Sequence, residues 1–172
     1  MFKPQLKLMV CGMGGHGKDT FCEFLDMPFI SSSLMALDLC IWPRWGEAVY
    51  QSRQECFDAR RNPSERVVWH DLIALYNTDD KSRLGKQIFS EYDIYCGNRC
   101  DREFNDMKRK GVFNYSVWVE ATDRLPPESR ESCKVTPAMC DEVITNNGSE
   151  EELLTKAIEF RKRLESNFTI GA

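Results

Sequence analysis

Apolar and polar positions alternate along this chain in blocks that predict strands and helices in turn. Residues 6–11 are almost wholly apolar, which is typical of a parallel strand covered on both faces. From 18 to 25 the apolar positions recur at helical spacing. The same reasoning predicts strands at 92–96, 115–121 and 142–145, and helices at 63–76, 81–90, 101–110 and beyond 150. This alternation indicates an α/β fold with three layers, αβα, in which helices cover a parallel sheet.

Capping residues mark the ends of several of these helices. Asn62 and Pro63 are a favourable N-cap and first helical residue, and their helix is expected to bury Val67, Val68, Leu72 and Leu75. Ser149 and Glu152 form a capping box for the closing helix, which is expected to bury Leu153, Leu154, Ala157, Ile158 and Leu164. Pro43 is expected to end an apolar segment that begins at Leu34.

Size and composition narrow the class of protein. The chain has 172 residues and a formal net charge of −4, which suits one domain, 1–172, with its own core. The small net charge argues against a general nucleic-acid or membrane surface. No apolar run approaches the roughly 20 residues that span a bilayer, and the start does not resemble a signal peptide, so a cytoplasmic location is expected. The eight cysteines include no Cys-x-x-Cys pair, and we expect free thiols.

A glycine-rich loop, residues 12–18, lies between the first strand and the first helix. Four residues separate Gly12 from Gly17, and Lys18 follows at once, which matches the G-x-x-x-x-G-K core of a Walker A motif, or P-loop. Backbone N–H groups and the start of a helix attract phosphate oxygens, and the lysine supplies a cation for the β- and γ-phosphates. The sequence therefore predicts an ATP site made by Gly12, Gly14, Gly15, His16, Gly17, Lys18, Asp19 and Thr20.

The P-loop departs from the common motif directly after its lysine. Asp19 stands where a serine or threonine is expected, and Thr20 follows it. Either Thr20 helps to hold Mg²⁺, directly or through water, or the metal is held mainly by phosphates and water. The carboxylate of Asp19 would repel the phosphates unless it points away from them or faces the metal. Farther along, residues 122–133 are charged, contain two prolines and lack an apolar face, which indicates an exposed lid.

Several blocks of the chain resemble one family. Gly17-Lys18-Asp19-Thr20 is similar to the Gly-Lys-Asp-Thr form of the P-loop in bacteriophage deoxynucleoside monophosphate kinases, which belong to the P-loop nucleoside and nucleotide kinases. Blocks at 30–33, 93–99, 117–124 and 141–149 continue the resemblance in the same order, and the last also resembles dephospho-coenzyme A kinases. Residues 43–60 match no part of the family that we can place.

The resemblance implies a P-loop kinase fold and transfer of the ATP γ-phosphate to the 5′-phosphate of a deoxynucleoside monophosphate, with Mg²⁺. Arg99 follows the strand at 92–96, at the end where α/β sheets place ligands, and is expected to clamp the acceptor phosphate, with Arg66 as second choice. Arg124 and Arg130 in the lid are expected to act, with Lys18 and Arg99, on the transferring phosphoryl group. Other expected contacts are Ser31, Ser32, Ser33 and Asp38 with the acceptor, in a region of about 30–76, and Asn147 or Asn146 with adenine.

Two other functions stay open at this point. One is a P-loop kinase for another acceptor, such as dephospho-coenzyme A, which needs a base to deprotonate a hydroxyl, and Asp38 is the candidate for that base. The other is a module that binds ATP without turnover. A GTPase is not expected, because the chain has no Asn-Lys-x-Asp motif. Small-molecule nucleotides are the expected partners, without nucleic acid or membrane, and a homodimer is left open.

Overall fold

The computed structural model describes residues 2–129 and 131–171. At its centre lies a five-stranded sheet in the order β2-β3-β1-β4-β5, and every neighbouring pair is parallel. The strands are β1 Leu8–Cys11, β2 Phe29–Ser31, β3 Ile94–Cys96, β4 Tyr115–Glu120 and β5 Glu142–Thr145. The predicted parallel sheet is confirmed, and the sheet brings the carboxyl ends of its strands to one edge.

Helices cover both faces of this sheet. They are α1 Lys18–Phe24, α2 Ser32–Ala36, a π-helix Leu37–Gly46, α3 Glu47–Val49, α4 Arg53–Ala59, α5 Pro63–Tyr76, α6 Arg83–Glu91, α7 Asp101–Arg109 and α8 Glu150–Asn167. Along β1, Leu8 and Val10 belong to one buried cluster, with α1 and α8, whereas Met9 belongs to another, with the π-helix, α6 and α7. Because side chains alternate between the faces of a strand, the two clusters lie on opposite sides. The predicted αβα layers are confirmed.

The boundaries of α5 agree with the sequence, but its buried face does not. Val67 and Leu75 are 60% and 54% exposed, so the expectation that they are buried was wrong. Trp69 is the buried residue, and Leu72, Ile73 and Tyr76 are partly buried at positions i+3, i+4 and i+7 from it. This helix packs on the π-helix rather than on the sheet, so a narrow apolar stripe suffices and the remaining apolar residues face water.

The closing helix shows the same kind of error. The Ser149 hydroxyl accepts a hydrogen bond from the Glu152 backbone N–H at 3.3 Å, as the capping box predicts. Leu154 and Ile158 are 38% and 43% exposed, contrary to expectation. The buried stripe consists of Leu153, Ala157, Phe160 and Leu164. Its spacing follows one face of the helix, and Leu154 and Ile158 lie just outside that face.

The segment that begins at Leu34 was expected to stop at Pro43, but helical backbone continues past this proline. Pro43 lies within the π-helix Leu37–Gly46. A proline ring clashes with the carbonyl four residues earlier in a regular α-helix, and the wider turn of a π-helix relieves that contact. The segment that matched no family block therefore folds as the end of this helix followed by α3 and α4.

The structure also describes the thiols, the lid segment and the apolar character of the helices. The eight cysteines are free thiols. Residues 122–129 and 131–133 contain turns but no helix or strand, as expected of the lid. Within the described ranges, no helix combines the length and the apolar character needed to cross a membrane.

Candidate nucleotide and phosphate site

The P-loop connects the end of β1 to the start of α1 and depends on glycine at Gly17. The backbone of Gly17 has a φ of +91°, and a Cβ added there would overlap with Asn146 Nδ2. A side chain is therefore excluded both by the left-handed backbone and by the neighbouring amide. This geometry turns the chain into α1 so that its first backbone N–H groups face the loop, which is the arrangement that binds anions at a helix start.

Lys18 places its cation inside this loop. The residue is buried, and its Nζ donates a hydrogen bond to the Met13 backbone oxygen at 2.7 Å. The ammonium group is thus held across the loop, at the place where phosphate oxygens would need a positive charge.

His16 holds the loop in place through its side chain. The ring is buried, and its Nδ1 accepts a hydrogen bond from the Ala121 N–H at 3.0 Å, at the end of β4. Burial, followed by the positive charge of Lys18, lowers the pKa of His16, so the neutral ring that can accept this bond is favoured. The His16 N–H also donates to the Met13 backbone oxygen at 3.4 Å, within the loop, whereas Nε2 of the ring is buried without a hydrogen-bond partner among the described residues.

Asn146 ties β5 to the P-loop. Its Nδ2 donates to the His16 backbone oxygen at 3.0 Å, and its own backbone oxygen accepts from Arg124 Nε at 2.8 Å. Asn147, which was predicted to contact adenine, instead uses its Oδ1 to accept a hydrogen bond from the Asp123 N–H at 3.2 Å. The sequence named both asparagines, but nothing in it distinguished the one that packs against the P-loop.

A cleft of about 220 Å³ opens beside the loop. It is lined by Gly15, Gly17, Thr20, Arg124, Asn146, Gly148, Glu150 and Leu153. Thr20 from α1 and Arg124 from the lid, which are far apart in sequence, therefore line the same cleft beside the P-loop.

Arg99 and the lid residue Glu128 meet at the mouth of the P-loop. Arg99 Nη1 lies 2.6 Å from Glu128 Oε2, with the two side chains 34% and 25% exposed. A Cβ added at Gly14 would overlap with Glu128 Oε1 and lie 3.3 Å from Arg99 Nη2. Burial opposes ionisation of Glu128, but the Arg99 guanidinium, the Gly14 backbone N–H and Lys18 outweigh it and lower the pKa of the carboxyl. A carboxylate thus bridges the loop and Arg99, and these groups form a site for an anion.

The lid lies over the loop and is attached at both ends. The Glu128 N–H contacts Met13 Sδ at 3.1 Å, and the Lys134 N–H donates to the Arg99 backbone oxygen at 2.9 Å. At its other end, Arg124 and Asp123 are held by Asn146 and Asn147, as described above. Arg130, the second lid arginine that was predicted to act on phosphate, lies outside the described residues.

Asp19 and Thr20 face different surroundings. Thr20 lines the cleft, whereas Asp19 is exposed and its Oδ1 accepts from Cys96 Sγ at 3.6 Å, at the carboxyl end of β3. Among the described residues, no group of three or more His, Cys, Asp or Glu side chains could hold a metal ion. Mg²⁺ commonly takes one or two protein oxygens together with substrate phosphates, and Thr20, which lines the cleft, fits that limited role.

The predicted acceptor residues are spread over several elements. Ser31 Oγ accepts from the Leu34 N–H at 3.3 Å and so caps α2, and Ser32 Oγ donates to the Gly97 backbone oxygen at 3.2 Å. Ser33 is partly exposed. These contacts give Ser31 and Ser32 structural roles at the end of β2, next to the loop that carries Arg99.

The two charged residues predicted for this region are both exposed. Asp38 forms an ion pair with Arg53 at 3.2 Å. Arg66 lies on the exposed side of α5. The structure therefore surrounds Asp38 with solvent and a positive charge, which is a poor environment for a general base.

Arg60, at the end of α4, is a partly buried arginine that the sequence did not single out. Its guanidinium lies 3.5 Å from the centre of the Phe57 ring, and its Nη1 donates to the Phe57 backbone oxygen at 2.6 Å. Burial, followed by the charge of Arg61, lowers the pKa of Arg60, while Asp19 acts in the opposite direction. Arg60 belongs to the segment 43–60, which matched no motif, so no signal in the sequence distinguished it from a surface arginine.

Comparison with known proteins identifies the fold. No protein-family model matches the sequence, and no curated protein sequence matches it significantly. Among solved structures, a shikimate kinase from Acinetobacter baumannii in complex with shikimate has a TM-score of 0.51 at 13% identity, with 98% of each chain covered. A sugar kinase from a Janibacter species has a TM-score of 0.50 at 11% identity, covering 96% of this chain and 99% of that one.

A gluconokinase from Sinorhizobium meliloti is similar to the same degree, with a TM-score of 0.50 at 13% identity, covering 96% of this chain and 97% of that one. Identities this low carry information about the fold only. The parallel five-stranded sheet, the P-loop after β1 and the likeness to these kinases agree with one another, and the chain has the P-loop kinase fold.

Proposed function

We propose that this protein is an ATP-dependent kinase that phosphorylates a deoxynucleoside monophosphate on its 5′-phosphate. One observation carries the proposal: Arg99, from the end of β3, meets the P-loop so closely that one carboxylate bridges Gly14 and Arg99. An anion placed between a P-loop and a separate arginine is what a transferring phosphoryl group requires, because its charge must be neutralised from both the donor and the acceptor sides.

The proposed reaction assigns each group a role. The P-loop backbone and Lys18 hold the β- and γ-phosphates of ATP, and Arg99 holds the acceptor phosphate. An oxygen of that phosphate attacks the γ-phosphorus while the bond to the β–γ bridging oxygen breaks, giving ADP and a deoxynucleoside diphosphate. Bound Mg²⁺, which the phosphates and Thr20 would hold, would neutralise phosphate charge. Arg124 and the lid cover the phosphates and keep water away from them.

A phosphate acceptor agrees better with the charges of this site than a hydroxyl acceptor does. A phosphate is already anionic and needs cations, and Arg99 at the mouth of the P-loop supplies one. A hydroxyl needs a base, and the residue predicted for that role, Asp38, is exposed and paired with Arg53. These observations support the monophosphate acceptor over dephospho-coenzyme A.

A panel of acceptors tests the proposal. Purified protein, ATP and Mg²⁺ are incubated with each common and modified deoxynucleoside monophosphate, and ADP is followed by a coupled assay. Dephospho-coenzyme A, shikimate and gluconate serve as hydroxyl acceptors in the same panel. We expect ADP formation above the background hydrolysis with at least one monophosphate. Turnover with a hydroxyl acceptor alone, or with none of these compounds, contradicts the proposal.

A further inference from the structure

Glu128 places a negative charge where a nucleotide phosphate would bind. Its Oε2 lies 2.6 Å from Arg99 Nη1, and its Oε1 occupies the space that a Cβ added at Gly14 would need. The positive charge of Lys18 also helps to lower the pKa of this carboxyl. These are the N–H and cationic groups that a P-loop offers to phosphate oxygens.

The neighbouring lid contacts hold this carboxylate in position. The Glu128 N–H contacts Met13 Sδ within the P-loop, at 3.1 Å. Ser132 Oγ lies 3.5 Å from Glu128 Oε2 while it donates to the Ser129 backbone oxygen at 2.9 Å. The Lys134 N–H fixes the end of the lid to the Arg99 backbone. The side chain is only 25% exposed, so the carboxylate fills space at the mouth of the loop as well as satisfying its donors.

We propose that Glu128 is an internal competitor of the nucleotide phosphates: its carboxylate binds Arg99 and the P-loop in the free protein and must leave before a phosphate can bind there. This inference rests on the proposed phosphate-binding function of the P-loop and adds a regulation of that same site. The free lid then has a closed state, in which its own carboxylate occupies the phosphate position, and a released state. A nucleotide binds the released state, and the lid covers the phosphates only after Glu128 has left their position.

The size of the effect follows from the fraction of protein whose lid is released. The apparent dissociation constant equals the intrinsic one divided by that fraction. A charge-assisted contact of a partly buried carboxylate with a guanidinium favours the closed state about tenfold, so its removal is expected to tighten nucleotide binding about tenfold.

Calorimetric titration with ATP tests the competitor directly. The proteins are the wild type, Glu128→Gln, and Glu131→Gln as a matched control, because Glu131 is an exposed carboxylate of the same lid. The charge change is identical in the two variants, so a general electrostatic effect would appear in both. We expect Glu128→Gln to bind ATP about tenfold more tightly than the wild type, and Glu131→Gln to bind within about twofold of it.

Hydrogen exchange of the free proteins supplies a second readout that does not depend on nucleotide. Peptides that cover 122–133 are expected to exchange faster in Glu128→Gln than in the wild type and in Glu131→Gln, because the contact that closes the lid is absent.

The possible outcomes separate this inference from the proposed function. If the wild type binds ATP but Glu128→Gln binds it equally or more weakly, the competitor is refuted while the ATP site stands. If neither protein binds ATP, both the ATP site and the competitor are refuted. Unchanged exchange of the lid in Glu128→Gln also refutes the closed state, whatever the affinities are.

Discussion

Gly17 and Asn146 offer a test of how the P-loop is built, independent of any activity. Replacing Gly17 by alanine places a Cβ in the space of Asn146 Nδ2, so the amide must move and lose its hydrogen bond to the His16 backbone oxygen. The left-handed backbone at this position, with a φ of +91°, strains alanine as well. The two effects arise from different causes, and a second substitution can separate them.

The expected free energies follow from these two causes. Left-handed strain costs alanine about 1–2 kcal/mol. Leaving the buried His16 oxygen without its donor costs about 1–3 kcal/mol. Gly17→Ala should therefore destabilise by about 2–5 kcal/mol and Asn146→Ala by about 1–3 kcal/mol. In the double variant the hydrogen bond is lost only once, so its cost should fall short of the sum of the two single variants by about 1–3 kcal/mol.

Equilibrium unfolding in urea, followed by tryptophan fluorescence, measures this difference. Gly15→Ala is the matched control, because Gly15 also has a positive φ, +75°, but a Cβ there meets only Leu125 Cδ1 at 3.4 Å. Combining Gly15→Ala with Asn146→Ala should give additive costs. Additive costs for Gly17→Ala and Asn146→Ala would refute the claim that these residues share one contact.

Three further predictions concern the acceptor site, the metal and the core. Arg99→Lys should lower kcat/KM for the monophosphate about a hundredfold, because lysine lacks the planar guanidinium fork, while the free energy of unfolding in urea should change by less than about 1 kcal/mol. Arg102→Lys, on the exposed side of α7, is the control and should change neither quantity. Equal losses of kcat/KM in both variants would exclude a special role for Arg99. Thr20→Val should raise the Mg²⁺ concentration that gives half-maximal activity about tenfold, whereas the control Thr155→Val on α8 should leave it unchanged. An unchanged Mg²⁺ requirement in Thr20→Val would show that Thr20 does not bind the metal. Burial raises the pKa of Glu103, although hydrogen bonds from Asn77 and Asn98 oppose the shift. Because the folded protein then binds this proton more readily than the unfolded chain does, the wild type should gain stability relative to Glu103→Gln as the pH falls from about 7 to about 5. An unchanged difference in the free energy of unfolding between the two proteins over this pH range would contradict this.

Much of the fold could be predicted from the sequence because local signals carried it. The Gly12 to Lys18 spacing, the N-cap at Asn62 and the capping box at Ser149 each report a backbone geometry that only a few residue types satisfy. The alternation of apolar blocks then indicated the parallel sheet. These signals involve neighbours in sequence, and the structure agrees with each of them.

The errors arose where distant residues decide the outcome. Val67 and Leu154 are apolar at helical spacing, yet they face water because each helix buries only one narrow face. Pro43 lies inside a π-helix, whose wider turn the sequence does not reveal. In each case the local pattern allows two arrangements, and packing against another element selects one.

The sequence indicated some of the residues that surround the P-loop, but not their contacts. The sequence named the P-loop, Arg99 and Arg124, which the structure brings together around one loop. It did not identify Glu128 or Asn146 as their partners, because those contacts join segments more than twenty residues apart. Asp19 illustrates the difference: its departure from the motif was visible in the sequence, whereas its contact with Cys96 required the folded sheet.

Transfer of labelled phosphate tests the central claim most directly. Protein is incubated with ATP labelled at the γ-phosphate, Mg²⁺ and each deoxynucleoside monophosphate, and the products are separated by chromatography. We predict that the label appears at the β-position of a deoxynucleoside diphosphate in amounts equal to the ADP formed. Label found only in inorganic phosphate, or no label released from ATP with any monophosphate, would contradict the claim that this site joins a P-loop to an acceptor phosphate.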